Sequence, residues 1–146
     1  MPASGISLVD ANVWLALAVD VHAHHRMAKA WFESRKDDSW AFCRVPQMAL
    51  LRHLTNRHIM GEANVLGQKG AWEVYDSLVN DPRVVFVTEM TAIDAPFRAA
   101  ASSESPRHQR WTDAYLAAFA KTHGFSLTTL DRGFLDYGDL KVDLLI

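Results

Sequence analysis

Four polar side chains fall where predicted strands end or a predicted helix begins: Asp10, Gln47, Asp113 and Asp131. Asp10 and Asp131 each follow a short apolar segment, Gln47 follows another, and Asp113 opens a strongly helical segment. In an open parallel sheet, ligands bind just beyond the carboxyl ends of the strands. These four positions, far apart in the sequence, are therefore expected to converge at one edge of a sheet.

The residue types at these positions suggest a metal site. Carboxylates that are brought together repel one another unless a cation lies between them. Their hard oxygen atoms suit Mg²⁺ or Mn²⁺, which keep part of their water shell in proteins. An ion held in this way polarises a phosphate and activates a water for in-line attack on a phosphodiester bond. The acids therefore indicate metal-dependent hydrolysis of nucleic acid.

Each acid also has a purely structural interpretation. Asp10 would serve as a helix N-cap, and Asp113 would complement the helix dipole from the first turn. Asp131 precedes Arg-Gly, so it is a suitable turn residue. Each acid taken alone leaves both interpretations open. Their joint occurrence at matched topological positions favours the metal site.

The elements that would position these residues alternate along the chain. Apolar runs predict strands, and segments with helical spacing predict helices. The predicted strands are 6–9, 40–45, 84–87, 126–130 and 141–146, and the predicted helices are 12–19, 23–36, 46–56, 71–79, 91–101 and 111–123. Pro46 suits the first position of its helix, Thr91 suits a cap, and Gly124 is placed to end the last helix. This alternation predicts an α/β fold with helices on both faces of a parallel sheet of about five strands.

The helix 111–123 gives a direction for one acid. Asp113 shares a face with Leu116, Ala117 and Ala120 by the i+3, i+4, i+7 rule. This face is apolar and small, so we expect it to lie close against the sheet. It would carry Asp113 toward the core side of the helix.

Composition limits the other possibilities. The chain has 146 residues, of which 49% are hydrophobic and 22% charged, which predicts one globular domain over 1–146. The net charge of −2 is unlike that of most nucleic-acid binders, so any such contact would be local or metal-mediated.

Cys43 is the single cysteine and excludes a disulfide within the chain. We expect it to be a small core residue. The apolar run 6–19 is too short to span a bilayer. A cytoplasmic location is predicted.

Other residues were weighed for function. The "HAHH" run at 22–25 lacks a partner with zinc-ligand spacing, and packing or partner contact is the favoured role of His25. No G-x-S-x-G or G-x-x-x-x-G-K-[ST] motif occurs, so neither a serine hydrolase nor a P-loop enzyme is predicted. Four basic residues near the acids are candidates for contact with RNA phosphates, with ordinary ion pairs as the alternative: Arg44, Arg52, Arg110 and Arg132. Trp40 or Trp111 could stack on bases, although core packing or a dimer interface explains most of the five tryptophans.

Five segments occur in an order that is typical of one family. They are "LVDANVWLAL", "HHRMAKAWFE", "LLRHLTN", "WTDAYLAAFAKTHG" and "LTTLDRGF". The chain closely resembles a PIN-domain ribonuclease of the VapC toxin type, from bacterial toxin–antitoxin pairs. The resemblance covers nearly the whole chain. It implies a three-layer α/β/α PIN-like domain, a Mg²⁺- or Mn²⁺-dependent endoribonuclease, a cognate VapB-type antitoxin and a homodimer. Transfer RNA is the substrate that it suggests.

The resemblance also implies roles for single residues. Asp10, Asp113 and Asp131 match the family's catalytic, metal-binding acids, and Thr129 and Asn12 match two polar residues that support them. The chain departs from the family at one position. The family usually has a glutamate five residues before the arginine of the "LLRHLTN" segment, and counting back from Arg52 gives Gln47. An amide keeps a ligand oxygen but brings no charge, so we expect weaker metal binding by three carboxylates and one amide.

Two further functions were considered. The same fold could be a non-catalytic RNA- or protein-binding module whose metal site has decayed at Gln47. A phospho-accepting receiver-like domain is less favoured. Receivers need a pair of acids after the first strand, and Ala-Asn follows Asp10 here.

Overall fold

The computed structural model describes residues 5–146 and is built around one parallel sheet. The five strands pair in the order β3-β2-β1-β4-β5, and every pair is parallel. They are β1 (Ile6–Val9), β2 (Ser39–Phe42), β3 (Val84–Phe86), β4 (Ser126–Thr129) and β5 (Val142–Leu144). β2 and β4 lie on either side of β1, and all three strands are parallel. Their carboxyl ends therefore lie side by side at one edge of the sheet.

Helices connect the strands and cover both faces. They are α1 (Ala11–Ala18), α2 (His25–Ser34), α3 (Arg44–Leu54), α4 (Arg57–Met60), α5 (Gln68–Val79), α6 (Asp94–Ala100) and α7 (Trp111–His123). Three 3-10 segments also occur, at Thr91–Ile93, His108–Arg110 and Arg132–Asp136. The predicted α/β class and three-layer architecture are confirmed.

The two faces of the sheet are packed with different residues. On one face, α7 brings Leu116, Ala117 and Ala120 onto the sheet, and all three are buried. On the other face, the core is aromatic, with the Trp14 and Phe42 rings stacked at 4.1 Å. Small alanine side chains let α7 approach the strands closely. This close approach fixes where the first turn of α7, with Asp113, lies relative to β1 and β4.

Most predicted elements are confirmed, with corrections at their ends. The strands β2 and β4 stop before Cys43 and Leu130, so Asp131 is the second residue after β4 and not the first. Helix α3 already begins at Arg44 because Cys43 takes the N-cap position, and Pro46 therefore lies third in the helix. Pro46 is tolerated there because the first-turn N–H groups have no partner within the helix.

Two further differences concern short helices. The helix α4 (Arg57–Met60) was not predicted; its start is capped by the Asn56 side chain, which accepts a hydrogen bond from the His58 N–H at 2.9 Å. The predicted helix 91–101 is divided into a 3-10 turn and α6, and Thr91 does not cap it because Met90 lies at that position. Gly124 ends α7 in the left-handed region at φ +71°, as predicted. In the described part of the chain, every helix is too short or too polar to span a lipid bilayer.

Candidate active site

Asp10 lies between the end of β1 and the start of α1. Its N–H donates to the carbonyl of Thr128 at 2.9 Å, which ties it to β4, and its carbonyl accepts from the Val13 N–H at 3.0 Å. The residue occupies the N-cap position of α1, yet within residues 5–146 its side chain makes no hydrogen bond that caps the helix. The Asp10 carboxylate therefore does not cap α1 in the usual way, by accepting from the N–H of the second or third helical residue, and the side chain is left for another use.

Thr129 joins two of the acids. This buried residue ends β4, and its hydroxyl donates to Oδ2 of Asp10 at 2.9 Å. The hydroxyl oxygen of Thr129 also accepts a hydrogen bond from the N–H of Asp131, at 3.0 Å. The parallel pairing of β1 with β4 puts Val9 opposite Thr128 and so brings these residues together. Thr129 thus orients Asp10 and fixes the backbone of Asp131.

Asp131 starts the turn that leaves β4. Its Oδ1 accepts the N–H of Gly133 at 2.8 Å, which is the turn-forming role considered for it. The residue is exposed, and a Cβ atom added at Gly133 would lie 3.1 Å from Oδ1. The turn therefore holds one carboxylate oxygen of Asp131 in place. It leaves the other oxygen without a side-chain or backbone donor among the residues described.

Asp113 reaches the same region from α7. It is the third residue of this helix and is partly buried, above Leu116 and Ala117, which are buried against the sheet. The helical face predicted for Asp113 is thus the face that packs. Its position in the first turn also suits the helix dipole, so the structural and the functional interpretation hold together for this residue.

Neighbouring charges act on the pKa of Asp10 and of Asp113. The pKa of Asp10 is raised to about 6: burial and, to a smaller extent, the charges of Asp113 and Asp131 raise it, against hydrogen bonds from Thr129 and from the backbone of Ala11. Burial and the charge of Asp131 also raise the pKa of Asp113, while the Arg110 charge lowers it. These effects place the three carboxylates in one electrostatic unit.

The donor set fits a hard divalent cation that keeps its waters. Three carboxylates with mutual repulsion are the ligands that Mg²⁺ and Mn²⁺ prefer. Across residues 5–146, however, no group of three or more His, Cys, Asp or Glu side chains is arranged so that it could hold a metal ion. An open site of this kind suits Mg²⁺ in particular, which is usually bound by one or two carboxylates and several waters.

Gln47 is engaged elsewhere. It lies in the first turns of α3, five residues beyond the end of β2 rather than directly after the strand, and it is buried. Its Oε1 accepts from Nη1 of Arg44 at 2.6 Å, and the guanidinium lies 4.8 Å from the centre of the Phe86 ring. Gln47 also bonds to Tyr75 and thereby counteracts the rise in the pKa of Tyr75 that burial causes. The amide oxygen of Gln47 therefore binds the guanidinium of Arg44.

Three of the other predicted site residues, Asn12, Arg52 and Arg132, are exposed. Asn12 is exposed on the first turn of α1, and its side chain has no hydrogen-bond partner in residues 5–146. Arg52 is exposed, beside His53 and Arg57 in a separate surface cleft. Arg132 is also exposed and, within the described chain, forms no ion pair, so the alternative that we considered for it is wrong.

Arg110 is not a free phosphate-binding group. Its Nη2 donates to the Gly133 carbonyl at 2.9 Å, and its Nη1 lies 3.2 Å from Oδ2 of Asp136. Its guanidinium also lies 5.0 Å from the centre of the Tyr137 ring. It ties the start of α7 to the turn after β4. The glycine two residues after Asp131 is the one sequence signal for this link.

The histidine run and the buried tryptophans are explained by packing. His25 lies 2.9 Å from the carbonyl of Ala16, which fixes α2 against α1, and the run contributes to no metal-binding group in the residues described. Trp40 is buried in the aromatic core and cannot stack on a base, whereas Trp111 is 59% exposed. Cys43 is buried, as expected for a core residue.

Comparison with known proteins identifies the family. The family model described as "PIN domain" matches residues 7–140. Ribonuclease VapC41 of Mycobacterium tuberculosis is 42% identical over 142 residues, which cover 94% of this chain and 97% of that protein. Ribonuclease VapC29 of the same species is 32% identical over 136 residues, covering 92% of this chain and 93% of the relative.

Solved structures agree in fold. VapBC2 from Rickettsia felis, bound to a DNA fragment of its promoter, superposes with a TM-score of 0.70 at 12% identity over 95% of this chain and 98% of that one. Mycobacterium tuberculosis VapC20, described as a Sarcin-Ricin loop cleaving toxin, gives a TM-score of 0.66 at 17% identity over 91% and 95% of the two chains. At these identities the likeness concerns the fold alone. Together with the family match and the relatives at 42% and 32% identity, the findings assign this chain to the PIN-domain ribonucleases of the VapC type.

Proposed function

We propose that this chain is a toxin that hydrolyses RNA phosphodiester bonds with Mg²⁺ or Mn²⁺, with Asp10, Asp113 and Asp131 as its catalytic acids. The observation that carries the proposal is the state of Asp10. Its carboxylate has no capping role in the described chain, is oriented by Thr129, and shares its electrostatic environment with the other two acids. Burying such a charge costs free energy that a purely structural role would not require.

Each residue has a defined part in this proposal. A bound ion would supply Lewis acidity and lower the pKa of a water, so no side chain is needed as a covalent nucleophile. Asp10, Asp113 and Asp131 would hold the ion, and Thr129 would fix the direction of Asp10. Gln47 is at most a weak additional ligand because its oxygen already accepts from Arg44. Arg132, exposed and next to Asp131, is the best-placed side chain for an RNA phosphate. Arg110 and Arg52 are second choices.

Partners are proposed from the relatives. Structures with this fold include complexes named as toxin–antitoxin, such as one from Klebsiella pneumoniae with a TM-score of 0.62. We propose a cognate VapB-type antitoxin that covers the acids, a homodimer, and cytoplasmic action on RNA, with transfer RNA as the first substrate to test. Exposed apolar side chains such as Met48 and Phe86 support an interface of this kind.

The test is RNA cleavage by matched variants. Wild type, Asp10→Asn and the control Asp139→Asn, which changes an exposed acid, are incubated with total transfer RNA in Mg²⁺, Mn²⁺ or EDTA. We expect wild type and the control to cut RNA with either metal and not in EDTA. Asp10→Asn should be slower by about a hundredfold or more, as when one charge-stabilising group is removed from an active site.

Two outcomes contradict the proposal. Equal cleavage by wild type and Asp10→Asn would remove Asp10 from the catalytic site. A wild type that binds RNA but cuts none with either metal would favour the alternative, a binding module whose site has decayed at Gln47.

A further inference from the structure

We propose that a cavity beside the acids binds one unpaired nucleobase of the RNA, next to the phosphate that is cut. This inference rests on the proposed function, because it assigns part of the substrate to the same site. The cavity has a volume of about 600 Å³ and lies between α6, the segment 101–110, the start of α7 and the 3-10 helix Arg132–Asp136. Its walls include Ala100, Arg110, Trp111 and Tyr137.

The cavity and the acids share two structural elements. The first turn of α7 carries both Trp111, on the cavity wall, and Asp113, but side chains two residues apart on a helix point in different directions, so the link between cavity and acids is made by Arg110. On the other side, Arg110 bonds to the Gly133 carbonyl, in the turn that begins at Asp131. The charge of Arg110 also lowers the pKa of Asp113. Arg110 thus lies on the cavity wall and acts on the acids, and on this basis we place the base next to the cut phosphate in the cavity.

Trp111 has the properties of a stacking platform. It is 59% exposed, although its indole is supported by Phe97, whose ring centre lies 6.4 Å away in an edge-to-face arrangement. A supported but exposed indole offers an aromatic face at little cost in side-chain entropy. Stacking of bases on aromatic side chains is how proteins commonly hold single-stranded nucleic acid, because every base has a π-face.

The charges around the cavity suit RNA. Its wall carries the side chains of Arg107, His108 and Arg110, against the single carboxylate of Asp136. Arg110 is fixed by Asp136, Gly133 and the Tyr137 ring, so its remaining N–H groups have a defined direction. A chain whose net charge is −2 thus concentrates cationic groups beside its acids. This local excess attracts the phosphate backbone of RNA.

The experiment measures binding without cleavage. Fluorescein-labelled single-stranded RNAs of about twelve nucleotides, within the length that such grooves cover, are titrated in EDTA. The series contains uridine, adenosine and cytidine homopolymers and one mixed sequence with guanosine. The proteins are wild type, Trp111→Ala, Trp111→Phe and a matched control, Trp72→Ala. Trp72 is 47% exposed on α5, on the opposite side of the sheet.

The expected pattern is specific to stacking. Trp111→Ala should weaken binding of at least one RNA by about tenfold, and Trp111→Phe should stay within about threefold of wild type. Trp72→Ala should bind as wild type does. A 4-thiouridine RNA should cross-link to the peptide 103–111. Unchanged binding by Trp111→Ala, no measurable binding by wild type, or cross-links only outside this cavity would overturn the proposal.

The two proposals fail in different ways. If RNA binding depends on Trp111 but no metal supports cleavage, the base-binding cavity stands and the ribonuclease proposal falls. If cleavage depends on Asp10 but RNA binding does not depend on Trp111, the cavity proposal is wrong and the ribonuclease proposal stands. If Trp111→Ala weakens only the binding of the antitoxin and leaves RNA binding unchanged, the cavity belongs to a protein partner and the proposal is wrong.

Discussion

The two sides of strand β1 differ at the edge of the sheet where Asp10 lies. On the β4 side, Thr129 bonds to both Asp10 and the backbone of Asp131, and Asp131 bonds to Gly133. On the β2 side, Gln47 bonds to Arg44 and Tyr75 instead. The described residues contain no hydrogen bond from Gln47 to an acid. The acids are therefore organised from one side only.

The difference shows how a site can depart from its family at one position. A glutamate at position 47 would face the Arg44 guanidinium and form an ion pair with it. The glutamine holds the same guanidinium through a neutral oxygen, so Arg44 keeps its positive charge. The β4 side gathers negative charge, whereas the β2 side carries a fixed cation. Four changes test whether this division is real.

The largest effect is expected on stability at Asp10. Its pKa is about 6 in the folded protein and 3.8 as the ordinary value, so ionisation opposes folding. Below pH 3.8 the carboxyl is neutral in both states and no penalty exists. The penalty grows as pH rises from 3.8 to 6 and is complete above 6. Asp10→Asn should therefore raise the free energy of unfolding at pH 7.5 in EDTA by about 2–3 kcal/mol, at roughly 1.4 kcal/mol per pKa unit.

Urea denaturation of wild type, Asp10→Asn and Asp139→Asn between pH 4 and 8 checks this prediction. The gain should vanish near pH 4 and be absent in the exposed control. A gain that is equal at both ends of the pH range would contradict the burial of a charged Asp10.

Next, Thr129→Val tests the link between the acids. The change keeps the volume of a buried side chain but removes the hydroxyl that joins Asp10 to Asp131. RNA cleavage should fall by about 10–100-fold, the usual cost of losing a group that orients metal ligands. Thr129→Ser should restore most of the rate.

Thr128→Val is the matched control for this change. Thr128 is also buried in β4, but its hydroxyl pairs with that of Ser7 at 2.7 Å, away from the acids. It should lower the melting temperature without lowering the rate per folded molecule. An equal loss of rate in Thr129→Val and Thr128→Val would show that Thr129 supports the fold and does not orient the acids.

A smaller effect is expected at Gly133. An added Cβ would lie 3.1 Å from Oδ1 of Asp131 and 3.7 Å from Nη2 of Arg110, so the carboxylate would have to move by a few tenths of an ångström. Gly133→Ala should slow cleavage by about fivefold, since a displacement of about 1 Å can cost a hundredfold. Steady-state kinetics with a cleavable RNA checks this, with unchanged circular dichroism as the test of folding. An unaltered rate would show that the position of Asp131 is not critical.

The smallest effect is expected on the β2 side. Gln47→Glu should change the rate and the metal requirement by less than about threefold, because Arg44 would bind the new carboxylate. The double variant Gln47→Glu with Arg44→Gln should reveal more, since it frees that carboxylate for the metal. Metal titration of cleavage compares the three proteins. A large gain in metal affinity from Gln47→Glu alone would contradict the division and support a decayed site.

The sequence predicted the parts of the site that depend on local pattern. The helix Trp111–His123 and its stop at Gly124 follow from spacing and glycine chemistry, and so does the face that carries Asp113. The strand β1, which ends just before Asp10, follows from one apolar run that contains β-branched residues. Less could be predicted where a tertiary contact competes with local preference. Pro46 lies third in α3 because Cys43, buried at the end of β2, takes the N-cap position.

The sequence by itself determined the order of strands and helices, the acids at their ends and the membership of the PIN family, because these depend on residue type and spacing along the chain. The tertiary structure decided which side chains meet. Only the pairing of β1 with β4 gives Asp10 the hydroxyl of Thr129, whereas the bond from Arg44 to Gln47 joins residues three apart within α3 and is a local helical contact. Hydrogen bonds between residues more than a hundred positions apart depend on register and packing, which no local pattern encodes.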